Sequence, residues 1–338
     1  MRIAVIGGSG FLGQRTVRAL RAVPDVHVES VSRSSAVCVD LSRPETFDAV
    51  RNFDLLIDLS DGTRVMPDEF AAFCLREGLT LIEATSDAPT IDRLHARFRE
   101  GPHRGSLVLG GGIFTGMSNL LGSAAARDAG SCERLTLGIA SGPFSAAGSS
   151  TIALMVASLA EPALRVENDR VIQCAAVSRG PMLTFATGPS PSLRTRFAEV
   201  TMLHASTHAP TVDVFFAPQP SFLVSMFLAL PQWLLRARLF SLFLGAYFTV
   251  LRRGLFRSIS TRVQLVAEAQ GTLGSSRRTL VAEDGMDAAA WALAAIAEQL
   301  IARFPLECRV LFVDELLAMD IIAARANALA GRTVMTVG

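Results

Sequence analysis

The chain opens on short apolar runs separated by amphipathic stretches of helical length. Residues 3–6, 26–31, 36–39, 55–59, 79–82 and 107–109 read as strands. Residues 12–22, 67–77 and 90–98 carry the period of helices that bury one face. Strand alternating with helix predicts βαβ units and a parallel sheet covered on both sides. Strands buried on both faces should be apolar throughout, as "IAVI", "LLIDL" and "LVLG" are.

After Thr115 the pattern changes. Residues 120–128 read as a helix, 134–140 as a strand, 141–150 as a Gly/Ser-rich loop and 151–159 as a helix. Strand-like pieces at 171–176, 212–216 and 262–267 suggest a separate α+β domain. Residues 287–304 form a clear helical pattern, with Leu293, Ile296, Leu300 and Phe304 falling on one face.

A chain of 338 residues is long enough for two modest domains. Its net charge of +1 gives no footing for a nucleic-acid partner held by phosphate contacts. Half of the residues are hydrophobic and the mean hydropathy is +0.38. Such a chain needs apolar surface beyond an ordinary core: a subunit interface, a greasy substrate site or a membrane contact. Every basic residue is arginine, so a lysine Schiff base is excluded. The single tyrosine, Tyr247, lies in an apolar run, and without lysine the Tyr-x-x-x-Lys pair of short-chain reductases is excluded as well. Five scattered cysteines fit free thiols in a reducing compartment. The opening on a strand, with no signal-peptide pattern, makes a cytoplasmic location the expectation.

Gly7, Gly10 and Gly13 give the spacing G-x-x-G-x-x-G in "IGGSGFLG", directly after the first strand and opening a helix. One glycine permits the tight turn, another lets backbone approach a pyrophosphate, and the last lets helix pack on strand. The helix N-terminus then faces the anion. This predicts a dinucleotide-binding Rossmann domain, with Gly7, Gly8, Ser9, Gly10, Phe11, Leu12 and Gly13 at the phosphates. After the second strand stand Ser32, Arg33 and Ser34, where NAD-binding domains usually place a carboxylate. A guanidinium suits a 2′-phosphate, so NADP(H) is preferred and NAD(H) is the alternative. Asp40 and Leu41 sit where the adenine would lie, although Asp40 fits equally well as a helix cap before Pro44.

These segments resemble the saccharopine dehydrogenase-like NAD(P)-binding family. The turn "VIGGSGFLG" is similar to its nucleotide turn, and "VSRSS…VDLSRPETF" to its second and third strands. "FDLLIDLSDG" and "FAAFCLREGLTLIEATSD" resemble its fourth and fifth strands with the helix between them. "GGGIFTGMSNLL" is similar to the junction usually written G-x-x-P-G-x-S-N, with Thr115 replacing the proline. "VQLVAEAQG…LVAEDGMDAAAWALAAIAEQL" looks like its last strands and closing helix. The resemblance implies a Rossmann domain over 1–116, an inserted α+β substrate and dimerisation domain over 117–284, and a helical return over 285–338. It also implies a homodimer, and activities on imines, amino groups or lipid double bonds.

Ligands of open α/β sheets bind beyond the carboxyl ends of the strands. Leu59, Ser60, Asp61, Ala84, Thr85, Gly112 and Phe114 are therefore the expected nicotinamide and ribose lining. Thr115, Gly116, Met117 and Ser118 are expected to face the substrate. Asp61 and Glu83 are candidate polar groups there, with loop hydrogen bonding as the plainer role. His204 and His208 could share a helical face as proton donors, and no metal site is expected. Arg179, Arg194 and Arg196 could bind a substrate anion or simply be solvated. Residues 222–251 are strongly apolar but split by Pro231, Arg236 and Arg238, too broken to span a bilayer. Three readings stay open: a core or dimer interface, a lid over a lipophilic substrate, or an in-plane peripheral membrane contact.

The expected function is an NADP(H)-dependent oxidoreductase moving hydride to or from a C=N, C=O or activated C=C bond of a small or lipophilic substrate. A non-catalytic NADP(H)-binding redox sensor or scaffold competes with it. So does a peripheral membrane protein acting on lipid intermediates.

Overall fold

A computed structural model describes residues 1–60, 67–142, 156–231, 234 and 261–338. They divide into two compact units: Met1–Leu120 with Met286–Val334, and Leu121–Gly285 with Met335–Gly338.

In the first unit, β1 (Arg2–Ile6), α1 (Phe11–Leu20), β2 (His27–Val31), β3 (Leu55–Asp58), α2 (Asp68–Glu77), β4 (Thr80–Glu83), α3 (Ala88–Phe98) and β5 (Ser106–Leu109) alternate as the pattern predicts. The strands of this unit are parallel to their neighbours. Ile3, Leu55, Leu56, Ile57, Leu81, Ile82 and Leu107 are wholly buried. Each contributes roughly 1.5–3 kcal/mol by leaving water, which offsets the ordering of this unit's chain. Asp87 caps α3 by accepting from Thr90 N at 3.1 Å, which starts that helix two residues ahead of the apolar period.

Two expectations fail here. Residues 36–39 form no strand, only an isolated bridge between Ser32 and Cys38. The Ser35 hydroxyl accepts from Ser32 N and lies within bonding distance of the Ser32 and Val37 carbonyls, so local bonds curl the segment away from a ladder. The sixth strand instead comes from the far end of the chain: β14 (Val310–Phe312) lies beside β5, giving the order β14-β5-β4-β3-β1-β2. The return segment thus brings a strand as well as the helices α7 (Gly285–Ile301) and α9 (Met319–Ala330). The first of these ends at Ile301, so Phe304 is not on it, while Leu293, Ile296 and Leu300 are fully buried.

The second unit holds a mixed sheet of nine strands. Its centre is β6 (Cys132–Ser141), flanked by β11 (Thr211–Pro218) and β12 (Val263–Gly271), with β13 (Gly274–Ala282) beyond. The hairpin β9 (Ser178–Phe185) and β10 (Gly188–Arg194) is not visible in the hydrophobic pattern. Pro181, Pro189 and Pro191 interrupt it, and prolines belong to strand edges and bulges. Helix α6 (Phe222–Ala229) buries Leu223, Val224 and Phe227 against Val156, Leu159, Val177 and Leu193. The start of the apolar run 222–251 is therefore core; most of the remainder lies outside the described residues. Among the described residues no helix is long and apolar enough to cross a membrane.

Candidate functional site

The turn between β1 and α1 is set by backbone contact. Gly7 has φ +75°, and a Cβ there would sit 2.9 Å from the Leu59 carbonyl oxygen. A Cβ on Gly13 would lie 2.2 Å from the Gly7 oxygen, so helix and turn touch through bare backbone. The amides of Gly7 and Gly8 donate to Val31 O and Val5 O, which locks the turn to β2 and β1. Helix α1 starts at Gly10 with no side chain capping it. Its first amides and its dipole are therefore aimed at whatever lies above the turn. Ser9, Gly10 and Phe11 are exposed, and the Arg15 guanidinium lies 4.0 Å over the Phe11 ring. Leu12 is half-buried.

Beyond β2, Ser32 is half-buried, and Arg33 and Ser34 are exposed. The nearest carboxylate on that strand, Glu29, is held by Arg2 at 3.0 Å and His27 at 3.3 Å. Asp40 accepts from both the amide and the hydroxyl of Ser42, and these bonds hold its carboxyl below the usual range. It thus closes a local turn just before Pro44, with Leu41 half-buried beside it.

The carboxyl ends of β3, β4 and β5 bring several predicted residues together. Leu59 N reaches Ile6 O, and Ala84 N reaches Asp58 O, so the ladder runs one residue past each strand. Asp58 and Glu83 are register partners in the sheet, both almost wholly buried. Each carboxylate accepts the amide two residues on: Ser60 N at 2.8 Å and Thr85 N at 3.0 Å. Asp58 Oδ2 and Glu83 Oε2 are buried and find no partner among the described residues. Burial pushes the Asp58 carboxyl up to about 6, and burial together with the Asp58 charge pushes Glu83 well above its ordinary value. Asp61, expected beside them, lies outside the described residues. Sequence reading passed over Asp58 because a lone acid inside "LLIDL" gives no sign of what stands beside it.

After β5 the chain makes a tight irregular turn, Ile113–Met117. Gly112 is buried and Phe114 half-buried. Thr115 has φ +60°, a costly conformation for a β-branched residue, and its hydroxyl bonds to Thr85 O at 3.0 Å. Thr115, Gly116, Met117 and Ser118 are all buried, and so is Asn119, whose amide oxygen and nitrogen find no partner among the described residues. No reading of the sequence singled out Asn119; its signal is its place directly after the glycine junction.

His204 and His208 belong to the second unit and do not share a helical face. His204 lies on α5 (Glu199–Thr207) with Nδ1 3.0 Å from Ala209 O, whereas His208 turns left-handed at φ +55° and ends the helix. Arg194 is paired with Asp213 and stacks 4.8 Å over the Phe215 ring, so it is not a free anion ligand.

A parallel α/β sheet, a strand–glycine turn–helix at its first strand and polar groups gathered at the strand ends define a Rossmann fold. Searched against protein-family models and against curated proteins, the chain matches none. Among solved structures, saccharopine dehydrogenase (L-Glu forming) from Saccharomyces cerevisiae is similar over 100% of this chain and 99% of its own, at 12% identity and a TM-score of 0.65. The chain shares that protein's fold. A probable dehydrogenase from Thermotoga maritima aligns over 98% of this chain and 97% of its own, at 10% identity and a TM-score of 0.47, too low to add to this.

Proposed function

We propose that the chain is an NADP(H)-dependent oxidoreductase that moves hydride to or from a C=N, C=O or activated C=C bond of a small or lipophilic substrate. The glycine cradle carries this reading. Backbone contacts at Gly7 and Gly13 leave no room for side chains, and the uncapped start of α1 supplies amides for a pyrophosphate. The turn at 7–13 would hold the phosphates, Ser32, Arg33 and Ser34 the 2′-phosphate of the adenosine ribose, and the strand ends at Leu59, Ser60, Ala84 and Thr85 the nicotinamide half. When bound, the cofactor supplies the hydride; the protein supplies position and a dry setting.

NADP(H) is favoured over NAD(H) because Arg33 is exposed at the end of β2 while Glu29 is already engaged by Arg2 and His27. Titration of NADPH and NADH into the parent and into Arg33→Ala tests this. The parent should bind NADPH more tightly, and the variant should lose at least about tenfold for NADPH with little change for NADH, the worth of one charge-assisted bond. Tighter NADH binding by the parent overturns the preference. Turnover of NADPH on a panel of imines, ketones and enoyl compounds separates an enzyme from a sensor: binding without turnover on every class favours the sensor.

A further inference from the structure

The row across the first sheet at the carboxyl ends of its strands runs Ile6, Asp58, Glu83, Leu109. Register partners on adjacent strands project to the same face, so the two carboxylates are immediate neighbours with an apolar residue on either side. Each spends one oxygen on the amide two residues on, and each has a second oxygen buried with no partner among the described residues. Among the described residues no arginine or histidine bonds to either carboxylate.

Among the described residues, the other titratable groups facing the pair come from α2. Cys74 is buried, and desolvation with the Asp58 charge keeps its thiol protonated. Asp68 adds its negative charge toward Glu83 but is itself engaged by Arg93 at 2.9 Å and Arg97 at 3.7 Å. Two ionised carboxylates in this setting would be two uncompensated buried charges. Such a pair ionises in two separated steps that belong to the pair rather than to either residue.

We propose that Asp58 and Glu83 hold one proton between them at neutral pH, and that this singly protonated pair positions the backbone amides of Ser60 and Thr85 at the proposed dinucleotide site. The proton removes one of the two buried charges, so the remaining one is tolerated while both backbone amides stay bonded. Loss of the proton sets like charges against each other, and the bonds to Ser60 N and Thr85 N open to water. Asp58 and Glu83 are positioning residues: they act on the cofactor through the backbone they hold. The cofactor half of the inference rests on the dinucleotide reading; the proton and the loops do not.

Three measurements on the full chain test it, using the parent, Glu83→Gln and Asp58→Asn. The difference between infrared spectra of the parent and Glu83→Gln at pH 7.5 should show the loss of one neutral carboxylic acid in the variant. Amide exchange at Ser60 and Thr85, corrected for the intrinsic rate, should lose at least about tenfold in protection between pH 6 and 9.5 in the parent, as release of one proton requires. Glu83→Gln, whose amide mimics the protonated acid, should change by less than about threefold. Asp58→Asn carries the same exchange expectation and serves if the glutamine variant does not fold. A missing neutral-acid band, or a variant that follows the pH course of the parent, overturns the proposal.

NADPH affinity at pH 6.5 and 9 should fall with pH in the parent and hold in Glu83→Gln. No binding of NADPH or NADH at either pH, with the infrared and exchange results as expected, overturns the dinucleotide reading and leaves the proton-held loops standing.

Discussion

The Thr115 hydroxyl lies 3.0 Å from the Thr85 carbonyl oxygen and 2.6 Å from that of Phe114, setting a left-handed residue after β5 against the loop after β4. The left-handed conformation costs about 1–2 kcal/mol for a residue with a Cβ, and the bond returns about 1 kcal/mol of it. Proline, which the resembling family places here, is fixed near φ −65° and cannot adopt this backbone. The junction therefore follows a different path from the one a proline would impose.

Thr115→Pro should accordingly destabilise the protein by about 3 kcal/mol or more, read from denaturant unfolding. Thr115→Gly should stay within about 1 kcal/mol of the parent, because relief of strain offsets the lost hydroxyl. A proline variant as stable as the parent would show that the left-handed turn is not populated.

The glycines of the turn between β1 and α1 should separate into two kinds. In Gly13→Ala the new methyl meets backbone at 2.2 Å, so the turn must move; a loss of about 3 kcal/mol and at least tenfold in dinucleotide affinity is expected. Gly10 is exposed, and its nearest neighbour would be the Gly7 oxygen at 3.1 Å. Gly10→Ala should therefore lose affinity while its melting temperature stays within a few degrees of the parent. Equal destabilisation by the two substitutions would refute the distinction.

The buried carboxyls also set the sign of a pH effect on stability. Asp58 is raised from 3.8 to about 6, so between these values the folded chain binds more protons than the unfolded one. Stability contributed by this group is present below about pH 4 and is lost as pH rises to about 6. Glu83 moves in the same direction and extends the loss to higher pH. Asp40, Glu77 and Asp128 are lowered by their partners and act oppositely, at pH values below their ordinary range. Urea midpoints of the parent should thus fall between pH 4 and 6 relative to Asp58→Asn, whose curve should be flatter. Parallel curves would contradict the assignment.

Much of the first unit was legible in the sequence because its signals are local. Apolar runs of four or five residues, the helical period and a glycine triplet beside a strand each specify their own backbone. The glycine turn at Gly7–Gly13 needed nothing further for its backbone to form. Local chemistry also misled where it competed with pairing: 36–39 has strand composition, but the hydroxyls of Ser32 and Ser35 bond to nearby backbone and turn the chain instead.

What the tertiary structure decided is everything that depends on which distant segments meet. Val310–Phe312 becomes a strand because Leu107–Leu109 offers it a parallel edge about 200 residues earlier, a distance no periodicity spans. His208 leaves the helix that its spacing from His204 had suggested they share. Above all, Asp58 and Glu83 are 25 residues apart in sequence, each an isolated acid at the end of an apolar run. Sheet register alone sets them side by side, and burial alone makes their shared proton matter.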